Sequence, residues 1–156
     1  MMSDVSQGDA APAFDLEGET GSVSLAALKG RKVVLYFYPK DDTSGCTKEA
    51  IEFSGLADDF AAADAVVIGV SKDSVASHAK FRAKYDLGVT LASDPDGAAI
   101  ERYGSWVEKS LYGRKYMGID RSTFLIDRDG KVARVWRKVK VPGHAAEVLK
   151  AAQALA

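Results

Sequence analysis

The sequence predicts a single α/β domain over residues 1–156, with a mixed central sheet flanked by helices. Three observations carry this. Two short runs rich in β-branched residues, Val33–Tyr38 and Val66–Val70, are apolar throughout, as strands buried on both faces are. Between and after them, apolar residues recur at helical spacing. Near the end, Asp127-Arg128-Asp129-Gly130 separates two apolar segments and demands an antiparallel pair. A chain of 156 residues that is 47% apolar and 28% charged suffices for one such core.

The elements follow in order. Residues 1–7 read as a flexible N-terminus, and Gly8–Pro12 as a loop. Phe14–Leu16 and Val23–Leu25 flank Gly18-Glu19-Thr20-Gly21, a hairpin signal. Leu25–Leu28 reads as a helical turn closed by Gly30. After the strand Val33–Tyr38, residues Ala50, Phe53, Leu56, Ala57 and Phe60 place a helix over about Cys46–Ala62. Val66–Val70 is the next strand. Ser74 or Ser71 caps a helix running to about Tyr85, with Ala79, Phe81 and Tyr85 among its apolar positions. Leu91–Ser93 reads as a short strand. The turn Asp94–Gly97 leads into a short helix through Tyr103. Ser122–Asp127 and Val132–Trp136 form the antiparallel pair, and Pro142-Gly143 opens a last helix over Ala145–Ala154. A parallel strand–helix–strand half joined to an antiparallel hairpin and a closing helix is the thioredoxin-like arrangement, here with an N-terminal β-hairpin extension. In it the first helix starts at the carboxyl end of a central strand, where α/β folds place reactive groups.

Charge and composition exclude several roles. The net charge is −1 with both signs interspersed, so no electrostatic case exists for nucleic acid or an anionic membrane. The short basic cluster Arg134–Lys138 fits a solvated strand face. One cysteine cannot form an internal disulfide. The N-terminus lacks a basic region followed by an apolar run, and no apolar stretch is long enough to cross a bilayer. A reducing cytoplasm is the expected location. His78 and His144 lack ligand spacing, so no metal and no cofactor are expected, and His144 reads as a residue capping or flanking the last helix. Asp41 and Asp42 look like a carboxylate pair but sit adjacent in a turn, so their side chains should diverge into solvent.

The cysteine itself, Cys46, falls where the strand Val33–Tyr38 has passed through Pro39 and a turn and the pattern becomes helical. A thiol in the first turn of a helix meets unpaired N–H groups and the positive end of the dipole, which favour the nucleophilic thiolate. The bland reading is a small buried hydrophobe. A thiol that reduces peroxide also needs donors aimed at the departing oxygen. Thr43 can place a hydroxyl beside the sulfur, or serve only as a helix cap. Pro39 can screen the sulfur, and Gly45 permits close approach. A cation must come from elsewhere, and Arg121, just before the strand at Ser122, is the candidate; alone it would read as a surface ion-pair residue. Tyr38, Trp106, Tyr112 and Tyr116 line a pocket or belong to core and rim.

These residues resemble a known family. Pro39, Thr43 and Cys46 match the peroxiredoxin active-site motif in spacing and identity. The run Tyr36–Thr43, Gly45–Ala50, Lys115–Ile119, Arg121–Asp127 and Gly143-His144-Ala145 are similar to the bacterioferritin-comigratory-protein (PrxQ) branch, from about Gly8 to Leu149. The resemblance implies a thiol-dependent peroxidase acting on hydrogen peroxide and organic hydroperoxides. It casts Cys46 as the peroxidatic residue and Thr43 as the hydrogen-bonding partner of thiolate and peroxide. Arg121 would lower the thiol pKa and stabilise the transition state, Pro39 would screen the sulfur, and Glu49 would hold the arginine. Tyr38 and Gly45 would support the substrate pocket.

One departure matters. Many members of this branch carry a resolving cysteine five residues on, where this chain has Ile51, and no second cysteine exists. Ser44 replaces a proline common among relatives. The sulfenic acid formed at Cys46 therefore needs an external thiol: thioredoxin, glutaredoxin with glutathione, or a small thiol. A monomer suffices for such a cycle. Two rivals remain. One is a peroxide sensor that relays oxidation to a partner. The other is a non-catalytic thioredoxin-like binding module, which the presence of Thr43 and Arg121 disfavours. A disulfide oxidoreductase is disfavoured by the lack of a Cys-x-x-Cys pair.

Overall fold

The computed structural model describes residues 5–156. The first four residues of the expected flexible tail lie outside the described residues. Val5 is buried, and its carbonyl accepts a hydrogen bond from Arg137.

The strand read at Val33 is the spine of the fold. This strand, β3 (Lys32–Phe37), is buried along its whole length. It pairs in parallel with β4 (Ala65–Ser71), which pairs in parallel with β5 (Thr90–Ser93). On its other side β3 pairs antiparallel with β8 (Ser122–Ile126), and β8 with β9 (Val132–Trp136). The N-terminal hairpin, β1 (Asp15–Gly18) and β2 (Gly21–Ser24), does more than extend the fold. It joins β5 antiparallel, so the seven-stranded sheet runs β2-β1-β5-β4-β3-β8-β9. A single 3-10 turn, Ala26–Leu28, follows it.

Alternation along β3 divides the core. Val34 and Tyr36 face a layer holding Ala50, Phe53, Phe60, Phe81 and Val148 from α1 (Ser44–Gly55), α2 (Ala57–Ala62), α3 (Val75–Tyr85) and α5 (His144–Ala154). Val33, Leu35 and Phe37 face Ile100 and Tyr103 of and just after α4 (Ala98–Arg102), with Phe14 and Phe124. No helix among the described residues is long and apolar enough to cross a membrane.

Several expectations need correction. The helix read as continuous over Cys46–Ala62 begins two residues earlier, at Ser44, and breaks at Leu56, which leaves helical geometry right after Gly55. Glycine at a helix end lowers the cost of that break. In α3 the buried positions are His78 and Phe81, whereas Ala79 faces solvent. Ser74 is the cap: its hydroxyl accepts from the Ser77 N–H.

One hairpin was not anticipated. β6 (Trp106–Leu111) and β7 (Arg114–Ile119) form a separate two-stranded ribbon. Tyr112 and Gly113, at its turn, both have positive φ (52° and 78°), the geometry of a two-residue hairpin loop. The ribbon carries Tyr116 half-exposed and Tyr112 97% exposed, so neither is core, and Tyr112 lines no enclosed pocket. Its outer faces are wet on both sides, so the sequence shows no clean apolar alternation there.

Candidate active site

Sheet topology brings Cys46 and Arg121 together. The chain leaves the carboxyl end of β3, and Tyr38 is still tied to the sheet through its N–H and the Val70 carbonyl. Pro39 and Lys40 are exposed at the head of the loop. Thr43 is the N-cap of α1, and its carbonyl accepts the Thr47 N–H. Cys46 is therefore the third residue of the helix, and it is only 2% exposed. Because β8 runs antiparallel to β3, with Phe37 opposite Ser122, the residue preceding β8 arrives at the end of β3 where α1 begins. That residue is Arg121, and its carbonyl is fixed by the Val139 N–H at 2.9 Å.

The guanidinium bridges two groups of α1. Nη2 donates to Cys46 Sγ at 3.3 Å, and Nη1 to Glu49 Oε1 at 2.7 Å. Cys46 and Glu49 are three residues apart and share one helix face, which lets one planar fork reach both. Glu49 is buried, with its side chain 1% exposed. Burial outweighs the attraction of Arg121 and raises its carboxyl to about 7. The pKa of Arg121 is raised too. Burial opposes its charge, but Glu49 and Cys46 together raise its pKa further. Among the described residues, Glu49 Oε2 and the buried Tyr36 hydroxyl have no hydrogen-bond partner. Tyr36 stacks on Phe53 at 4.7 Å, and burial followed by the charge of Glu49 pushes its hydroxyl up. Lys109 of the ribbon is a further cation of this neighbourhood. Burial lowers its pKa, Asp120 opposes that, and Arg121 and Cys46 also act on it.

The other anticipated residues divide. Gly45 lies beneath Arg121: a Cβ there would stand 3.1 Å from Nη2. The close approach that glycine permits is thus that of the arginine. The Thr43 hydroxyl donates to the Lys40 carbonyl at 2.8 Å, while the sulfur takes its hydrogen bond from Arg121. Tyr38 is fully buried, with its hydroxyl donating to Asp41 at 2.5 Å, so it braces the loop from within.

Asp41 and Asp42 do diverge, but only Asp42 is exposed. Asp41 is buried and accepts from Ser77 and His78 as well as Tyr38. His78, Phe81 and Tyr85 follow helical spacing, and that was the sequence signal for a buried histidine. His144 begins α5 and pairs its Nε2 with the Thr123 hydroxyl at 2.8 Å. Burial lowers it to about 4, which keeps it neutral. Among the described residues, no group of three or more His, Cys, Asp or Glu side chains gathers to hold a metal.

A lone thiol, buried under a bridging guanidinium at the helix start of a thioredoxin-like frame, defines the thiol-dependent peroxidase class. Residues 7–135 match the AhpC/TSA family, and the chain belongs to that family, in its Bcp/PrxQ peroxiredoxin branch. Peroxiredoxin Bcp of Bacillus subtilis is 48% identical over 144 residues, covering 92% of each chain. A cysteine-to-serine mutant of Xylella fastidiosa PrxQ superposes with a TM-score of 0.91 at 39% identity, covering 97% of this chain and 98% of that one. Xanthomonas campestris bacterioferritin comigratory protein, in a structure that addresses its alkyl peroxide reduction activity, gives 0.88 at 43% identity, with coverage of 97% and 98%. Such homologues imply a peroxide substrate and a thiol reductant.

Proposed function

We propose that this chain is a one-cysteine peroxidase reducing hydrogen peroxide and alkyl hydroperoxides in antioxidant defence. The observation that carries the reading is Arg121 donating at once to Cys46 Sγ and Glu49. The Cys46 thiolate attacks the terminal peroxide oxygen; an S–O bond forms and the O–O bond breaks. The sulfur loses two electrons to the peroxide. The pair leaves on hydroxide or alkoxide, which takes a proton and departs as water or alcohol. Arg121 faces the charge that develops along this path. First-turn N–H groups of α1 add donors, and Gly45 leaves the room the guanidinium needs. Thr43, through Lys40, holds the turn so that its hydroxyl oxygen faces incoming peroxide. Pro39 screens the sulfur side of the loop, and Tyr38 braces it. Glu49 orients Arg121.

The product is a sulfenic acid. With no second cysteine in the chain, an external thiol must attack it, releasing water and leaving a mixed disulfide. A second thiol then restores Cys46 and carries the disulfide away. Thioredoxin and glutaredoxin with glutathione are the reductants this scheme fits, in a reducing cytoplasm, with a monomer as the working unit. The test is peroxide consumption with dithiothreitol, comparing the native chain with Cys46→Ser. Multiple turnovers lost in the variant support the reading. A single oxidation per chain despite ample thiol would replace it with a peroxide sensor or relay.

A further inference from the structure

Asp41 and Asp42 are the last two residues before the N-cap of the helix that carries Cys46, and α3 grips both. The Asp41 carboxylate accepts from Ser77 Oγ at 2.7 Å and from His78 Nδ1 at 2.7 Å. His78 is fully buried, and its other ring nitrogen lies 2.9 Å from the Ala92 carbonyl oxygen. Both nitrogens lie within hydrogen-bond distance of oxygen atoms, so the ring is held from two sides. The Asp41 N–H is held as well, by Asp73 Oδ2 at 2.8 Å, and Ser71 donates to that same oxygen. Burial pushes the Asp41 carboxyl up, but hydrogen bonds from His78, Tyr38 and Ser77 outweigh it and hold the group below its ordinary value. Asp42, at a φ of 58°, turns the opposite way and accepts from Lys84 Nζ at 2.8 Å and Tyr85 Oη at 2.6 Å.

None of these bonds is made by Cys46 or Arg121. They act on the two residues that set where α1 starts. Apolar contacts tolerate sliding, whereas a buried, fully paired polar set fixes one geometry. The loop is thereby pinned on its α3 side, while Arg121 holds the helix face on the other. Cys46 is only 2% exposed in this state, yet its oxidised form has to meet a second molecule's thiol.

We propose that α3 is a clasp on the Cys46 loop. The buried Asp41–His78 pair and the exposed Asp42–Lys84–Tyr85 set keep Cys46 seated beneath Arg121, and release of the clasp opens the sulfur to thiols. His78 and Asp42 are then positioning residues. They favour the peroxide step and oppose access from outside. The role in resolution rests on the peroxidase reading above; the seating of Cys46 does not.

The experiment compares native protein with His78→Asn, which keeps a donor toward Asp41 but loses the Ala92 bond. Asp42→Asn is the surface partner, a change the left-handed backbone tolerates. Val132→Ala, a core truncation on the opposite face of the sheet, is the control. Two rates are read by quenched mass spectrometry. One is oxidation of Cys46 by hydrogen peroxide. The other is alkylation by iodoacetamide, in which an S–C bond forms and iodide leaves.

The clasp variants are expected to oxidise about tenfold more slowly, because small misplacement of a reacting atom is costly. They are expected to alkylate about tenfold faster, because a loosened segment opens more often. Val132→Ala should move neither rate in that opposed way. If both clasp variants match native, or shift both rates in the same direction as the control does, the proposal falls. If His78→Asn does not fold, Asp42→Asn decides by the same opposed signs. A native chain that peroxide leaves unoxidised would sink the peroxidase reading, and the alkylation rates would still decide the clasp.

Discussion

The guanidinium of Arg121 occupies the space that a side chain at Gly45 would fill. Nη2 would meet a Cβ at 3.1 Å, and the same nitrogen donates to Cys46 Sγ. Gly45→Ala therefore sets stability against activity. Alanine inside a helix stabilises by about 0.5–1 kcal/mol relative to glycine. The methyl group also pushes the guanidinium away by a few tenths of an ångström from the position where it faces the sulfur. Peroxide oxidation of Cys46 should slow about three- to tenfold while the unfolding midpoint holds or rises. Stopped-flow oxidation and urea titration of the same variant measure both.

Arg121→Lys keeps the charge and loses the fork. One ammonium on a flexible stem cannot reproduce the two-point hold on Glu49 and Cys46. The second-order rate of Cys46 oxidation should fall about a hundredfold, the scale on which removing one preorganised donor acts. A rate within twofold of native would remove Arg121 from the transition state.

Glu49 gives the pH dependence of stability a definite sign. Its carboxyl is raised from 4.5 to about 7, chiefly by burial. A carboxyl that holds its proton more tightly when folded weakens the fold as it ionises. Stability is highest below pH 4.5 and declines up to about 7 on this account, by on the order of 3 kcal/mol. Glu49→Gln removes that decline. His144, lowered to about 4 by burial, contributes in the opposite sense, with stability lost as pH falls from 6.5. Subtracting the Glu49→Gln profile from the native one cancels the histidine. Denaturant unfolding from pH 4 to 8 should give a difference that grows with pH; a flat difference would mean that Glu49 titrates alike in the folded and unfolded chain.

Without a second cysteine, the sulfenic acid persists whenever thiol is scarce. Peroxide in excess over reductant should therefore drive Cys46 to the sulfinic acid, seen as a mass gain of two oxygen atoms and loss of turnover. Thiol present before the peroxide should protect the chain. Protection that fails even at high thiol would mean the oxidised sulfur is not reached from outside.

Much of the frame was legible because its signals are local. The β-branched run at β3 and the Asp127–Gly130 turn are written in consecutive residues, and so is the motif Pro39, Thr43, Cys46. The strand periods and glycine positions state the element order, and that order states the thioredoxin-like class. What tertiary structure decided is what depends on partners distant in sequence. Arg121 and Cys46 are 75 residues apart, and they meet because β8 pairs antiparallel with β3. Asp41 reads as a solvated turn residue until α3 covers it and supplies Ser77 and His78. The β6–β7 ribbon has too little burial to impose a period. Local sequence fixes backbone preference and the chemistry at hand. Burial and long-range pairing assign each side chain its partner, because only packing decides which polar groups lose water and must find one another.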